Sequence, residues 1–178
     1  MLALTILLLG MSGCGSRQSE ERFRAWRQET GAAPVEFRAE IRAAAGIREA
    51  DFTLRCRWEN GETSVTVLAP EALEGISFRR EAEQDILEYD GTILALEESR
   101  GGLSAATALP VLQRALSAGR LLSLGREGSG LLAELELPEE MTLRLWLDEE
   151  MNPQRAEWLE AGQSVLSARI TDWKIGEQ

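Results

Sequence analysis

The residues that could do chemistry here are carboxylates and two cysteines, because the 178-residue sequence contains no histidine. The usual base that activates a serine or cysteine nucleophile is therefore missing, as is the commonest transition-metal ligand. Three adjacent pairs, Glu97-Glu98, Glu139-Glu140 and Glu149-Glu150, are typical of solvated turns in an acidic chain. A glycosidase needs two carboxylates about 5 to 10 Å apart in a cleft, and nothing singles out such a pair. We predict a non-catalytic protein without a cofactor or a metal site.

The charge of the chain argues against a nucleic-acid partner. Nineteen Lys and Arg stand against 30 Asp and Glu, which leaves a net charge of -11. Phosphate binding depends on basic surface. The sequence also has no glycine-rich phosphate loop and no nucleophile elbow. With 44% hydrophobic and 28% charged residues, its length and composition indicate one folded globular domain.

The N-terminus carries an apolar run over residues 1–9, followed by Met11-Ser12-Gly13-Cys14. The run is shorter than the roughly 20 residues of a membrane-spanning helix and has about the length of a signal-peptide core. The four residues resemble a bacterial lipobox, although no Lys or Arg precedes the run. That resemblance implies a signal peptide over 1–13, a lipidated Cys14 and a tether over 14–18. It also implies a lipid-anchored location on the extracytoplasmic face of the cell membrane. The alternative is an ordinary signal peptide or a buried N-terminal strand.

The second cysteine, Cys56, has no expected disulfide partner once Cys14 is acylated. It lies on the apolar side of an alternating pattern between Phe52 and Trp58. Without a histidine to activate it, we predict a buried core thiol.

Most of the chain alternates between apolar and polar residues with a period of two, which indicates half-buried strands. Asn60-Gly61 and Asp90-Gly91 each separate two such runs, and both dipeptides are typical of tight hairpins. Residues 70–75 interrupt the pattern as a loop or a single helical turn. The predicted strands cover 35–42, 52–59, 63–68, 76–80, 85–89, 92–96, 121–125, 131–137, 141–148, 155–160 and 164–175.

Two segments change to a helical period. Ser19–Thr30 begins with an N-cap serine and two glutamates, and Ser104–Ala118 spaces leucines along one helical face. In the second helix we expect Pro110 in the first turn, or a break into two pieces around it, and Gly119 at the end. Together with about ten antiparallel strands, these helices predict an α+β fold in one domain over 19–178. A sheet this long must curl or close.

Three local motifs resemble the LolA-like lipoprotein-carrier superfamily, in the order that it has them. They are the opening strand Phe37–Ile41, the hairpin Leu87–Gly91, and a late hairpin formed by Leu145–Asp148 and Asn152–Trp158. The resemblance implies a curved, mostly antiparallel half-barrel with short helices packed in its mouth. In several members an apolar cavity between sheet and helices receives acyl chains. The candidate lining residues here are Phe37, Ile41, Leu54, Trp58, Leu145 and Leu147.

Two functions follow from this resemblance. The first is a membrane-anchored lipoprotein that binds acyl chains or lipoproteins in such a cavity. The second is an envelope protein-interaction module that holds a partner, for example a cell-wall enzyme, at the membrane. The same apolar residues also suit a dry, packed core, which would leave no room for a ligand.

Overall fold

A computed structural model describes residues 14–45, 48–81, 84–96 and 103–176. It contains two α-helices, α1 (Cys14–Ala32) and α2 (Ala105–Ala118), and a 3-10 turn over Glu71–Leu73. The strands are β1 (Val35–Ala45), β2 (Arg48–Glu59), β3 (Glu62–Ala69), β4 (Ser77–Glu81), β5 (Gln84–Tyr89), β6 (Thr92–Leu96), β7 (Leu121–Glu127), β8 (Gly130–Glu136), β9 (Met141–Leu147), β10 (Pro153–Glu160) and β11 (Gln163–Ile175).

Both predicted tight hairpins are confirmed. Asn60 and Gly61 have φ of 54° and 82°, and Asp90 and Gly91 have φ of 49° and 74°. Positive φ at both central residues is the type I′ geometry, whose twist matches that of the flanking strands. The predicted helical turn after β3 is confirmed as well.

All the strands form one antiparallel sheet in the order β6-β5-β4-β3-β2-β1-β11-β10-β9-β8-β7. Strands β1 to β6 follow one another from the centre of the sheet to one edge, and we call them the first wing. Strands β7 to β11 follow one another from the opposite edge back to the centre, and we call them the second wing. The seam between the wings is the β1–β11 pairing, where Ala39 lies opposite Ile170. This open sheet with two helices confirms the predicted α+β half-barrel.

Helix α2 follows β6 and precedes β7, so it connects the two edges of the sheet. It packs against β1, β2 and β3 of one wing and β8 of the other. Its apolar face, which includes Leu109, Leu112 and Leu116, is buried in the core. Ser104 caps it: its hydroxyl accepts the backbone N–H of Thr107, whose side chain in turn accepts the backbone N–H of Ser104.

The expectation for Pro110 was wrong. Helix α2 is one continuous helix, and Pro110 lies inside it, beyond the first turn. The predicted end at Gly119 is confirmed, because Gly119 is the C-cap. A Cβ at that position would lie 2.5 Å from the carbonyl oxygen of Ala115, so glycine is required there by close approach.

Helix α1 begins at Cys14, five residues before the predicted start at Ser19, so residues 14–18 belong to the helix. Phe23 and Trp26 are its apolar contacts with the core. Three hydrogen bonds from Arg27 join α1 to the end of α2. Its Nε donates to the Leu116 carbonyl at 2.6 Å. Its Nη2 donates to the carbonyls of Ala115 at 3.2 Å and Gly119 at 2.9 Å.

Replacing Arg27 with methionine should destabilise the protein, because it removes three hydrogen bonds to carbonyls at the end of α2. We expect the free energy of unfolding in urea, followed by tryptophan fluorescence, to fall by about 1–3 kcal/mol. Arg24, which is exposed on the same helix, provides the matched control Arg24→Met. Equal losses in the two variants would contradict this role of Arg27.

The predicted core thiol is confirmed, since Cys56 is fully buried. Burial raises the pKa of this thiol far above its ordinary range. The thiolate is the reactive species, so native Cys56 should not react with Ellman's reagent. In a Cys14→Ser chain, whose sole thiol is Cys56, we expect one equivalent of reaction only after denaturation. Prompt labelling of the native protein would contradict the packing described.

Candidate functional site

The concave face of the sheet holds all six residues that the sequence singled out as a cavity lining. Their exposure is 1% for Phe37 and Ile41, 2% for Leu54, 3% for Trp58 and Leu147, and 0% for Leu145. All six belong to one core cluster that also contains the buried leucines of α2. The structure brings these residues to the predicted face and packs them together. Their contact with an acyl chain stays a prediction.

Aromatic contacts fill the part of this face below α1. The ring centroids of Phe37 and Trp58 are 5.1 Å apart, in an edge-to-face arrangement. Trp173 packs against both, at 4.9 Å from Phe37 and 5.4 Å from Trp58. Trp26 of α1 completes the cluster at 6.3 Å from Trp173. Two of the six candidate residues thus already have aromatic partners within the protein.

The predicted lipidation site is the first residue of α1. Residues 1–13, the predicted signal peptide, lie outside the described residues. Among the helices that the structure describes, none is both long and apolar enough to span a membrane.

A groove of about 720 Å³ lies on the opposite, outer face, across the seam between the two wings. Successive side chains of a strand point to opposite faces of the sheet. Since the apolar residues of β1, β2, β10 and β11 are buried on the concave face, the charged residues between them point outward. The lining also includes Ile41, Phe52 and Ala168, which have the inward parity of their strands, so we infer that their backbone faces the groove. Its polar side chains include Glu40, Arg42, Asp51, Thr53, Arg155 and Arg169.

Ion pairs order the side chains of the groove. Arg42 Nε lies 3.0 Å from Asp51 Oδ1, and Arg155 pairs with Glu157. Arg169 is held more loosely, because its Nη1 is 3.9 Å from the nearest carboxylate oxygen, on Glu40. Exposed pairs of this kind contribute little to stability, so a ligand can compete for their arginines.

Next to the groove, the outer face carries two apolar residues on strands whose other outward residues are mostly polar. Cross-strand register places Leu132 opposite Trp146, and Trp146 opposite Arg155. Both apolar side chains are half-buried. The guanidinium carbon of Arg155 lies 4.8 Å from the centroid of the Trp146 ring, a cation–π contact. We call Leu132, Trp146 and Arg155 the outer patch.

The sequence analysis missed this surface. The signal was present, since Trp146 has the outward parity of a strand whose buried residues are Leu143, Leu145 and Leu147. The groove itself depends on the β1–β11 pairing, which joins segments at opposite ends of the chain and leaves no local pattern.

The two carboxylate pairs in the described part of the chain do not gather into a site. Glu139 and Glu140 are exposed in the β8–β9 turn, and Glu149 and Glu150 are exposed in the β9–β10 turn. Glu97-Glu98 lies outside the described residues. In the described part of the chain, no group of three His, Cys, Asp or Glu side chains is arranged to hold a metal ion.

No protein-family model matches the chain, and no curated protein matches it. Solved structures do. An uncharacterized conserved protein from Thermus thermophilus is 14% identical, with a TM-score of 0.52 over 89% of each chain. A domain from Vibrio parahaemolyticus, classed with outer membrane lipoprotein-sorting proteins, is 10% identical. Its TM-score is 0.51, over 88% of this chain and 93% of that one.

A third match is a chain in the structure of the CwlD amidase from Clostridioides difficile in complex with the GerS lipoprotein. It is 14% identical, with a TM-score of 0.51, over 94% of this chain and 99% of that one. At these identities the matches establish architecture. The chain has a LolA-like fold.

Proposed function

We propose that this chain is a non-catalytic, membrane-anchored protein-interaction module of the bacterial envelope, which binds its partner on the outer face of the sheet. The observation that carries the proposal is the packing of the concave face. The six candidate lining residues are each at most 3% exposed there. Side chains of α2 occupy the mouth of the half-barrel. The outer face with its groove is therefore the surface of the sheet that can bind a partner.

The solved structures support an interaction role. One structural relative comes from a complex of an amidase with a lipoprotein, and another is classed with lipoprotein sorting. The names of both structures concern binding between proteins or the handling of lipoproteins. The lack of a histidine in the sequence, and of a carboxylate cluster among the residues that the structure describes, also favours a module that holds a partner over an enzyme.

The anchor in this proposal is a lipidated Cys14 at the start of α1, after removal of residues 1–13. A diacylglycerol supplies two chains, which is enough for stable attachment, whereas one chain holds only marginally. The net charge of -11 keeps the domain away from an anionic lipid surface.

Replacing Cys14 with alanine should move the protein from the membrane fraction to the soluble fraction of its own cells. The matched control is Cys56→Ala, which removes the other cysteine and should leave the protein on the membrane. Immunoblotting of the two fractions measures the distribution. Retention of Cys14→Ala on the membrane would refute the lipid anchor.

Native mass spectrometry separates this function from acyl-chain binding. For the Cys14→Ala chain, purified from bacteria, we expect the bare protein mass, both as isolated and after addition of palmitate or phosphatidylglycerol. The reason is that the concave face is already filled by side chains. A stoichiometric lipid adduct would overturn the proposal and favour a lipid carrier. Loss of that adduct in Leu109→Trp, which fills space at the mouth, would then locate the lipid.

A further inference from the structure

We propose that the groove and the outer patch together bind an extended acidic segment of the partner protein, with one apolar side chain of that segment on Trp146. This inference rests on the proposed function, for which it names the surface and the chemistry of the partner. Its starting point is that a tryptophan and a leucine lie half-buried on the outer face, beside a groove that contains three arginines.

The register makes the groove and the outer patch one continuous surface. A row of facing residues runs across the sheet from Leu132 through Trp146 to Arg155, and then to Arg169 and Glu40. Arg155 belongs to both surfaces, because it lines the groove and lies over the ring of Trp146. A ligand lying across the strands would therefore meet an apolar end and a cationic end.

The dimensions of the surface suit an extended peptide. The groove reaches from β10 across β11, β1 and β2 to Ala69 at the end of β3. Four steps between neighbouring strands span about 19 Å, which is the length of about six extended residues.

The arginines of the groove favour a ligand with acidic side chains. The groove is lined by three arginines, of which Arg42 and Arg155 each pair closely with one carboxylate, whereas Arg169 is held only loosely by Glu40. Arg169 is 74% exposed. With its nearest carboxylate at 3.9 Å, its N–H groups are free to bind a carboxylate in the bidentate way that arginine favours.

The apolar end suits a side chain from a protein. Trp and Arg are enriched where protein interfaces concentrate their binding energy. Gly125 lies opposite Leu132, and a Cβ built on it meets no atom within 4 Å, so there is room beside the patch.

Site-specific photo-crosslinking in the cells that make the protein tests the proposal on the full chain. p-Benzoylphenylalanine is placed at Thr53 or Gln154 in the groove, and at exposed Tyr89 on the far wing as the control position. We expect the groove positions to give adducts whose crosslinked peptide, sequenced by mass spectrometry, carries several Asp or Glu and an apolar residue. We expect Tyr89 to give none with that peptide.

Two substitutions then test the chemistry. Arg169→Gln should lower the yield of the groove adduct about tenfold, as loss of a charge-assisted hydrogen bond does. Trp146→Thr, which keeps a strand-forming residue, should lower it as well. Arg38→Gln is the matched control, because Arg38 is exposed on the same face and pairs with Asp172. It should leave the yield unchanged, and circular dichroism confirms that each variant is folded.

The outcomes separate this inference from the proposed function. Protein adducts from Tyr89 alone, or an adduct whose peptide is basic, overturn the acidic-segment site and leave an interaction module standing. Adducts with glycan or lipid at the groove overturn the inference. Equal yields in folded Arg169→Gln and Arg38→Gln overturn it too, whatever partner is found. Absence of protein adducts at every position overturns both proposals.

Discussion

The path of α2 from one edge of the sheet to the other constrains the rest of the molecule. The strands β6 and β7 are consecutive in sequence but lie at opposite edges, so the connection between them must pass over the concave face. A helix that crosses there has to be apolar on the side of the sheet, and Leu109 and Leu112 of α2 are completely buried. The carbonyls at its C-terminal end lack intrahelical donors. Those of Leu116 and Gly119 lie beside α1 and accept hydrogen bonds from the guanidinium of Arg27.

Because α2 crosses the concave face, the two faces of the sheet differ in the contacts that their side chains make. The concave face holds almost the whole core, from Phe23 of α1 to Ile170 at the seam. The outer face carries ion pairs that contribute little to stability. Glu134 is an example of a polar contact on the outer face. Hydrogen bonds from Arg144, and to a smaller extent from Ser123, lower the pKa of its carboxyl group, and all three side chains lie on this surface. Side chains on the outer face can therefore vary with little change in stability, while those on the concave face are constrained by packing.

The sequence was sufficient for what depends on neighbouring residues. Strand parity followed from period-two alternation, and Asn60-Gly61 fixed the β2–β3 hairpin because both residues tolerate positive φ. Pro110 was misplaced because local rules put proline at the start of a helix, whereas here the packing of α2 on the sheet keeps the helix continuous. The groove could not be predicted, since Arg42 and Arg155 line the same groove only because of the long-range β1–β11 pairing.

The β1–β11 seam also determines how the chain reaches this structure. In each wing, strands that are consecutive in sequence pair with one another, so their contacts form over short loops. The seam is different, because Ala39 and Ile170 are 131 residues apart in sequence. Contacts at such separations carry the loop-closure entropy of the whole intervening chain and slow the folding of small domains. This topology favours a folding order in which the two wings form early and the central seam closes late. Until the seam closes, the groove that spans it does not exist.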